Sequence, residues 1–283
     1  MALSDVPGHT ATLAAVGRAL HLSTIHTRLI EDGLALPLSG GAGAALMAQL
    51  TATTPPDALE GFGLAFAIRA RFVEDAVARA VHTGVVQYVI LGAGLDTFAY
   101  RRSDLIPPLR VFEVDRPAAQ SWKRARLAEL GVLSPAGLTF VPLDFESGDV
   151  GSEMNRSGLN ATAPAVVSWI AVSQYLERRA IDHILGWAAS LPRGSRLVLT
   201  YVVPPDQLSA LAQAGLVWTR SQAEARGEPF VSLFRPAEVA ALLREAGFAG
   251  VEQADDDELR RLYLADWPDA PLTGIERIAV ASV

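Results

Sequence analysis

The run Val86-Gln87-Tyr88-Val89-Ile90-Leu91-Gly92-Ala93-Gly94-Leu95-Asp96-Thr97 decides the fold of this chain. Its first half is apolar at nearly every position, the pattern of a strand covered on both faces, as in parallel sheets. Two glycines one residue apart then allow a tight turn and let a ligand approach the backbone closely. In an open α/β sheet such a turn lies at the carboxyl ends of the strands, where ligands bind. Taken alone, Gly-x-Gly is equally an ordinary strand-to-helix turn.

Outward from this run the chain alternates between short β-branched segments and helical ones. Further strands are expected at 110–115, 138–142, 165–171, 195–203, 250–254 and 276–283. Pro117 suits the first turn of a helix that Gly131 ends. Ala180, Ile181, Ile184, Leu185 and Ala188 recur with helical period, and Pro236 and Gly247 bracket a helix with Val239, Leu242, Leu243 and Ala246 on one face. This alternation predicts a doubly wound, seven-stranded, mostly parallel α/β sheet. Two regions stand outside it. Residues 1–80 read as a helical cap with breaks at Gly40–Gly43 and Pro55–Pro56. Residues 204–235 read as a polar insertion whose Leu208, Leu211, Leu216 and Trp218 are expected to lie over a bound ligand as a lid. The expected organisation is one domain over 1–283: cap 1–80, core 81–203, lid insertion 204–235, and the rest of the core at 236–283.

Composition narrows the function. The chain has 283 residues, 50% hydrophobic and only 19% charged, enough for a large buried core. Net charge is −7 and the only lysine is Lys123. An acidic chain without a basic face is a poor partner for nucleic acid or for an anionic membrane. The absence of cysteine excludes disulfides and thiolate chemistry. No apolar run reaches the ~18–20 residues of a membrane span, and residues 1–10 lack the pattern of a signal peptide, so a cytoplasmic location is expected. None of the five histidines has metal-ligand spacing. His183 reads as structural, while His21 and His26 in the cap are candidates to touch a substrate.

Asp115 ends the second expected strand, 21 positions after Gly94. A carboxylate there accepts hydrogen bonds from ribose hydroxyls, or else caps the helix that opens at Pro117. Glu113, two residues earlier, is a weaker candidate. Thr97 stands where a dinucleotide site carries its third glycine, which shifts weight toward a nucleoside ligand without a pyrophosphate. S-adenosylmethionine is such a ligand.

An ordered set of segments extends the pattern: Ile68-Arg69-Ala70-Arg71-Phe72-Val73-Glu74-Asp75, Val89 to Thr97, Val111-Phe112-Glu113-Val114-Asp115, Val141-Pro142-Leu143-Asp144-Phe145, Ser168-Trp169-Ile170-Ala171-Val172-Ser173-Gln174-Tyr175-Leu176, and Arg235-Pro236. Over most of its length the chain resembles the leucine carboxyl methyltransferases and their bacterial relatives. The resemblance implies a Rossmann-like class I methyltransferase fold with S-adenosyl-L-methionine as cofactor. It implies that Arg69 holds the methionine carboxylate and that Gly92, Ala93, Gly94 and Asp96 line the methionine and ribose. Asp115, with Arg116 beside it, would take the ribose hydroxyls, and Asp144 and Phe145 the adenine. Outside the family, Arg69 reads equally as a surface ion pair and Asp144 as a turn residue. In the protein-methylating branch a Glu-Gly pair stands where this chain has Ile170-Ala171. With this departure the chain resembles the bacterial branch, which is linked to small, secondary-metabolite-like acceptors, and O-methylation of such an acceptor is the leading reading. A protein C-terminal carboxylate is the alternative, a nicotinamide-dependent oxidoreductase is third, and a non-catalytic nucleoside-binding module is also open. Tyr175 and Tyr201 are candidates for a general base.

Overall fold

The structure is a computed structural model that describes residues 8–23 and 28–283. It begins with three helices, α1 (His9–His21), α2 (Ala35–Thr53) and α3 (Pro56–His82). The expected break at Pro55 is real: Pro56 opens α3 at its first turn, where its missing N–H costs nothing. The break at Gly40 is a kink inside α2, which only a residue free to take φ +65° permits.

The alternating core follows, with β1 (Gln87–Leu91), α4 (Phe98–Arg101), β2 (Arg110–Asp115), α5 (Pro117–Glu129), β3 (Leu138–Pro142), α6 (Val150–Arg156), β4 (Val166–Trp169), α7 (Arg178–Ala189) and β5 (Arg196–Val202). After the insertion helix α8 (Ala210–Glu224) come α9 (Pro236–Ala246), β6 (Gly250–Ala254), α10 (Asp256–Tyr263) and β7 (Glu276–Ser282). Seven strands form one sheet in the order β3-β2-β1-β4-β5-β7-β6. All neighbours are parallel except that β7 runs antiparallel to both β5 and β6. The order reverses between β1 and β4, and that switch point opens the crevice at the carboxyl ends of the strands.

The two faces of the sheet explain the unbroken apolar runs. Val89 and Leu91 join Val167, Trp169 and Leu199 under α6, α7 and α9. Tyr88 and Ile90 join Val111, Val166 and Val198 under α3, α4 and α10. A strand buried on both sides has no polar-out positions to mark its period. Gly247, at φ +109°, ends α9 in the left-handed conformation that glycine favours.

Candidate functional site

The turn after β1 is shaped by its glycines. Gly92 sits at φ +70° and Gly94 at φ +46°. A Cβ on Gly92 would lie 2.3 Å from Val172 Cγ2, and one on Gly94 would lie 3.1 Å from Ala11 Cβ. The backbone N–H groups of Gly92 and Ala93 both donate to Val114 O, at 2.8 and 3.1 Å. Further on, Asp96 accepts from the N–H of Phe98 at 2.7 Å and so starts α4.

Asp115 is positioned by this turn. Its carboxylate accepts from Gly94 N at 2.5 Å and from Arg116 N at 2.7 Å. The helix-cap alternative fails, because the residue capping α5 is Arg116 and no side chain caps that helix. Burial holds the Asp115 carboxyl above the usual range, with the two N–H donors pulling the other way. Glu113 does not share the site. It is buried against Lys123 of α5, which also donates to Asp96 O at 2.6 Å. Burial pushes Glu113 up to about 7 despite that ammonium.

One cavity of about 640 Å³ opens at this edge, and every residue singled out for the cofactor lies on its wall, from Arg69 on α3 through the Gly92–Asp96 turn, Asp115 and Arg116 to Asp144 and Phe145 after β3. Asp144 keeps its turn role too, accepting from Glu146 N at 3.0 Å. Arg69 is an ion-pair residue, but a buried one: it pairs with Glu276 and stacks 4.6 Å from the Phe66 ring centroid. Burial pulls its guanidinium down to about 10, so it remains charged at neutral pH.

The two tyrosines part company. Tyr175 lines the cavity, packed edge-on against Phe230. Burial raises its hydroxyl well above the ordinary value, so near neutrality it keeps its proton and is no general base. Tyr201 faces the opposite side of β5 and donates to Gln253 Oε1 at 2.6 Å, away from the cavity. The period of two along a strand sends it there. His21 is also structural: its Nε2 accepts from Leu29 N at 2.8 Å, and burial lowers it to about 4. His26 lies outside the described residues.

The lid residues require a correction. From the insertion only Gly227, Glu228 and Pro229 line the cavity. Helix α8 turns Ala212, Leu216 and Ala223 inward, which leaves Leu211 83% and Trp218 42% exposed on the outer side. Trp218 follows Leu216 by two positions, nearly the opposite face of a helix.

Some wall residues carried no signal in the sequence. Tyr88 Oη and Ser168 Oγ lie 2.8 Å apart, both buried and both facing the cavity. Arg18, Glu74 and Arg101 complete its polar side. Ser168 and Glu74 stood within the quoted segments, but nothing about their spacing marked them. Among the described residues no group of carboxylates and histidines would hold a metal ion, and no helix is long and apolar enough to cross a membrane.

The leucine carboxyl methyltransferase profile matches residues 11–189. The chain belongs to that family. A candidate S-adenosyl-L-methionine-dependent methyltransferase of Mycobacterium sp. (strain JLS) is 33% identical over 267 residues, 87% of this chain and 85% of its own length. YktD of Bacillus subtilis (strain 168), named in the same way, is 32% identical over 71% of this chain. The chain spans 66% of YktD and 65% of a similarly named Frankia alni protein. Among solved structures, a DUF574 family protein of Streptomyces avermitilis aligns with TM-score 0.60 and 18% identity over 98% of this chain and 97% of its own. A candidate methyltransferase of Thermobifida fusca aligns with TM-score 0.58 and 21% identity, covering 99% and 96%. At such identity these two speak for the fold, a Rossmann-like class I methyltransferase architecture.

Proposed function

We propose that the protein is an S-adenosylmethionine-dependent methyltransferase acting on an oxygen of a small-molecule acceptor. The observation that carries this reading is the set of groups that one cavity brings together. One cavity wall carries a carboxylate held by two backbone N–H groups (Asp115), a buried guanidinium (Arg69) and two Cβ-free residues, Gly92 and Gly94. That set of groups suits ribose hydroxyls, an amino-acid carboxylate and a ligand lying close to the backbone. Asp115 would accept from the ribose hydroxyls, Arg69 would pair with the carboxylate, and Asp144 with Phe145 would receive the adenine. The bound cofactor supplies an electrophilic methyl group.

The protein's own task is alignment. Holding an acceptor oxygen in line with that methyl is worth roughly 7–11 kcal/mol of barrier. Gly92, pressed against Val172, admits the ligand to the backbone. Tyr175, which keeps its proton, would offer its O–H to the acceptor as a hydrogen-bond donor. Helix α1 through Thr10, Ala11 and Ala14, and the 227–229 segment, add walls to the cavity. A walled cavity supports a small acceptor over a polypeptide tail. The family also supports a second reading, a protein C-terminal carboxylate as acceptor.

Calorimetry with S-adenosylhomocysteine and NAD, followed by methyl transfer from labelled S-adenosylmethionine, tests this. Binding of the former and not of NAD, with label passing to small phenols or acids and not to peptides ending in leucine, is the expected result. Transfer to such peptides would shift the function to the second reading; binding of NAD alone would end both.

A further inference from the structure

Arg69 reaches the cavity with a companion from the far end of the chain. Glu276 opens β7, the antiparallel strand, opposite Val202 of β5. Because β7 runs against β5, its first residue and not its last lies at the ligand edge of the sheet. One oxygen of the Glu276 carboxylate takes the Arg69 guanidinium. The other accepts from the hydroxyl of Thr200, and that hydroxyl oxygen accepts from Ala171 N at 2.7 Å. Thr200 is fully buried.

Both ends of this chain of contacts are walls of the cavity. Ala171 holds φ +57°, a left-handed conformation that costs a non-glycine residue roughly 1–2 kcal/mol and persists where surroundings hold it. Arg69, buried against Phe66, would be an uncompensated charge without Glu276. A guanidinium has five N–H donors, so one carboxylate along one edge leaves others for a ligand. Glu276 does not itself line the cavity.

We propose that Glu276, with Thr200, is a positioning residue that sets Arg69 and the Ala171 turn at the separation an α-amino-acid end-group needs. This rests on the reading that Arg69 meets the carboxylate of the cofactor. The Coulomb attraction orients the fork of Arg69, and the neutral Thr200 link sets the turn, so one carboxylate registers two elements far apart in sequence.

The test compares S-adenosylhomocysteine with 5′-methylthioadenosine, which keeps the nucleoside and lacks the amino-acid end. Glu276→Gln should weaken the former by about tenfold or more, and the latter by less than about twofold. Thr200→Val leaves the ion pair in place and decides the matter if Glu276→Gln does not fold; it should weaken S-adenosylhomocysteine by about threefold with the same selectivity. Equal losses for both ligands, no loss, or tighter S-adenosylhomocysteine binding on removal of a competing carboxylate would overturn the proposal. Arg69→Met run in parallel separates the two readings. If it spares the ratio of affinities, the role of Arg69 falls and this inference with it. If it changes the ratio while Glu276→Gln and Thr200→Val do not, only the positioning role falls.

Discussion

The helical cap and the 204–235 insertion both overhang the same cavity, yet they are fastened differently. Arg18 of α1 donates to Asp32 Oδ2 at 2.7 Å and to Leu95 O, inside the glycine turn, at 2.7 Å. Asp32 accepts from Thr97 Oγ1 at 2.7 Å and lies 3.5 Å from Arg101, which in turn donates to Glu74 at 2.6 Å. Asp32 and Thr97 are completely buried. The insertion has no such anchor among the described residues. It is attached by Val231 N to Gln174 O at 2.8 Å, Phe234 N to Val202 O at 3.0 Å, Ser232 Oγ to Leu176 O at 2.7 Å, and Glu228, which accepts from Thr10 N at 3.3 Å and pairs at 3.6 Å with the exposed Arg116. Helix α8, which precedes these points, leaves Leu211, Val217 and Trp218 exposed. To lift the cap is to strip charges from their partners in a low-dielectric interior; to lift the insertion is to exchange a few hydrogen bonds and one solvent-screened ion pair for water. Ligand exchange is therefore expected on the insertion side.

The sharpest way to break this comparison is Asp32→Ala. It leaves the Arg18 charge with only the Leu95 carbonyl, takes one of two carboxylates from Arg101, and should cost about 3–5 kcal/mol in urea denaturation. A loss below about 1 kcal/mol would mean the cap is no better fastened than the insertion. The anchor also has a pH signature. Burial raises the Asp32 carboxyl, but Arg18, Arg101 and the Thr97 hydroxyl more than offset this and hold it below 3.8. A depressed carboxylate contributes its stability at neutral pH and loses it as pH falls below 3.8 through the folded value. The gap between wild type and Asp32→Asn should close over that range.

Next in size is Asp115→Ala, which should weaken S-adenosylhomocysteine by about 1–3 kcal/mol in calorimetry. Undiminished affinity in the folded variant would detach the glycine turn from the ligand and leave the cap anchored to a merely structural loop. A third expectation concerns His21, held neutral in the cap by burial. The unfolded chain takes up a proton there as pH falls from 6.5 toward about 4, so the cap should lose stability across that window. In His21→Gln the thermal midpoint should depend less steeply on pH between those values. The smallest effect belongs to the insertion: Trp218→Ala should change stability by about 0.5 kcal/mol or less and cofactor affinity within about threefold. Hydrogen exchange should find α8 opening more readily than α1, with S-adenosylhomocysteine slowing it near 227–229. Equal protection of the two helices would erase the contrast.

The sequence by itself determined the elements and the turn. Strand runs at Arg110–Asp115, Leu138–Pro142 and Gly250–Ala254 end where the structure ends them, because β-branched runs flanked by Pro, Gly and Asp state their boundaries locally. Gly92, Gly94 and Asp115 were legible for the same reason, since a tight turn and a strand-end carboxylate depend on neighbours within a few residues. Contacts between distant residues were not. Nothing local tells that Glu113 is taken by Lys123 while Asp115 meets the turn, or which face of α8 and of β5 the fold turns to the cavity, and so where Trp218 and Tyr201 point. Glu276 stood at the head of an expected strand, but its meeting with Arg69, 207 positions earlier (276 − 69), required β7 to run antiparallel. Local sterics and turn chemistry write the motifs into the sequence; sheet order and strand direction, set by how the whole core packs, decided which buried charges meet.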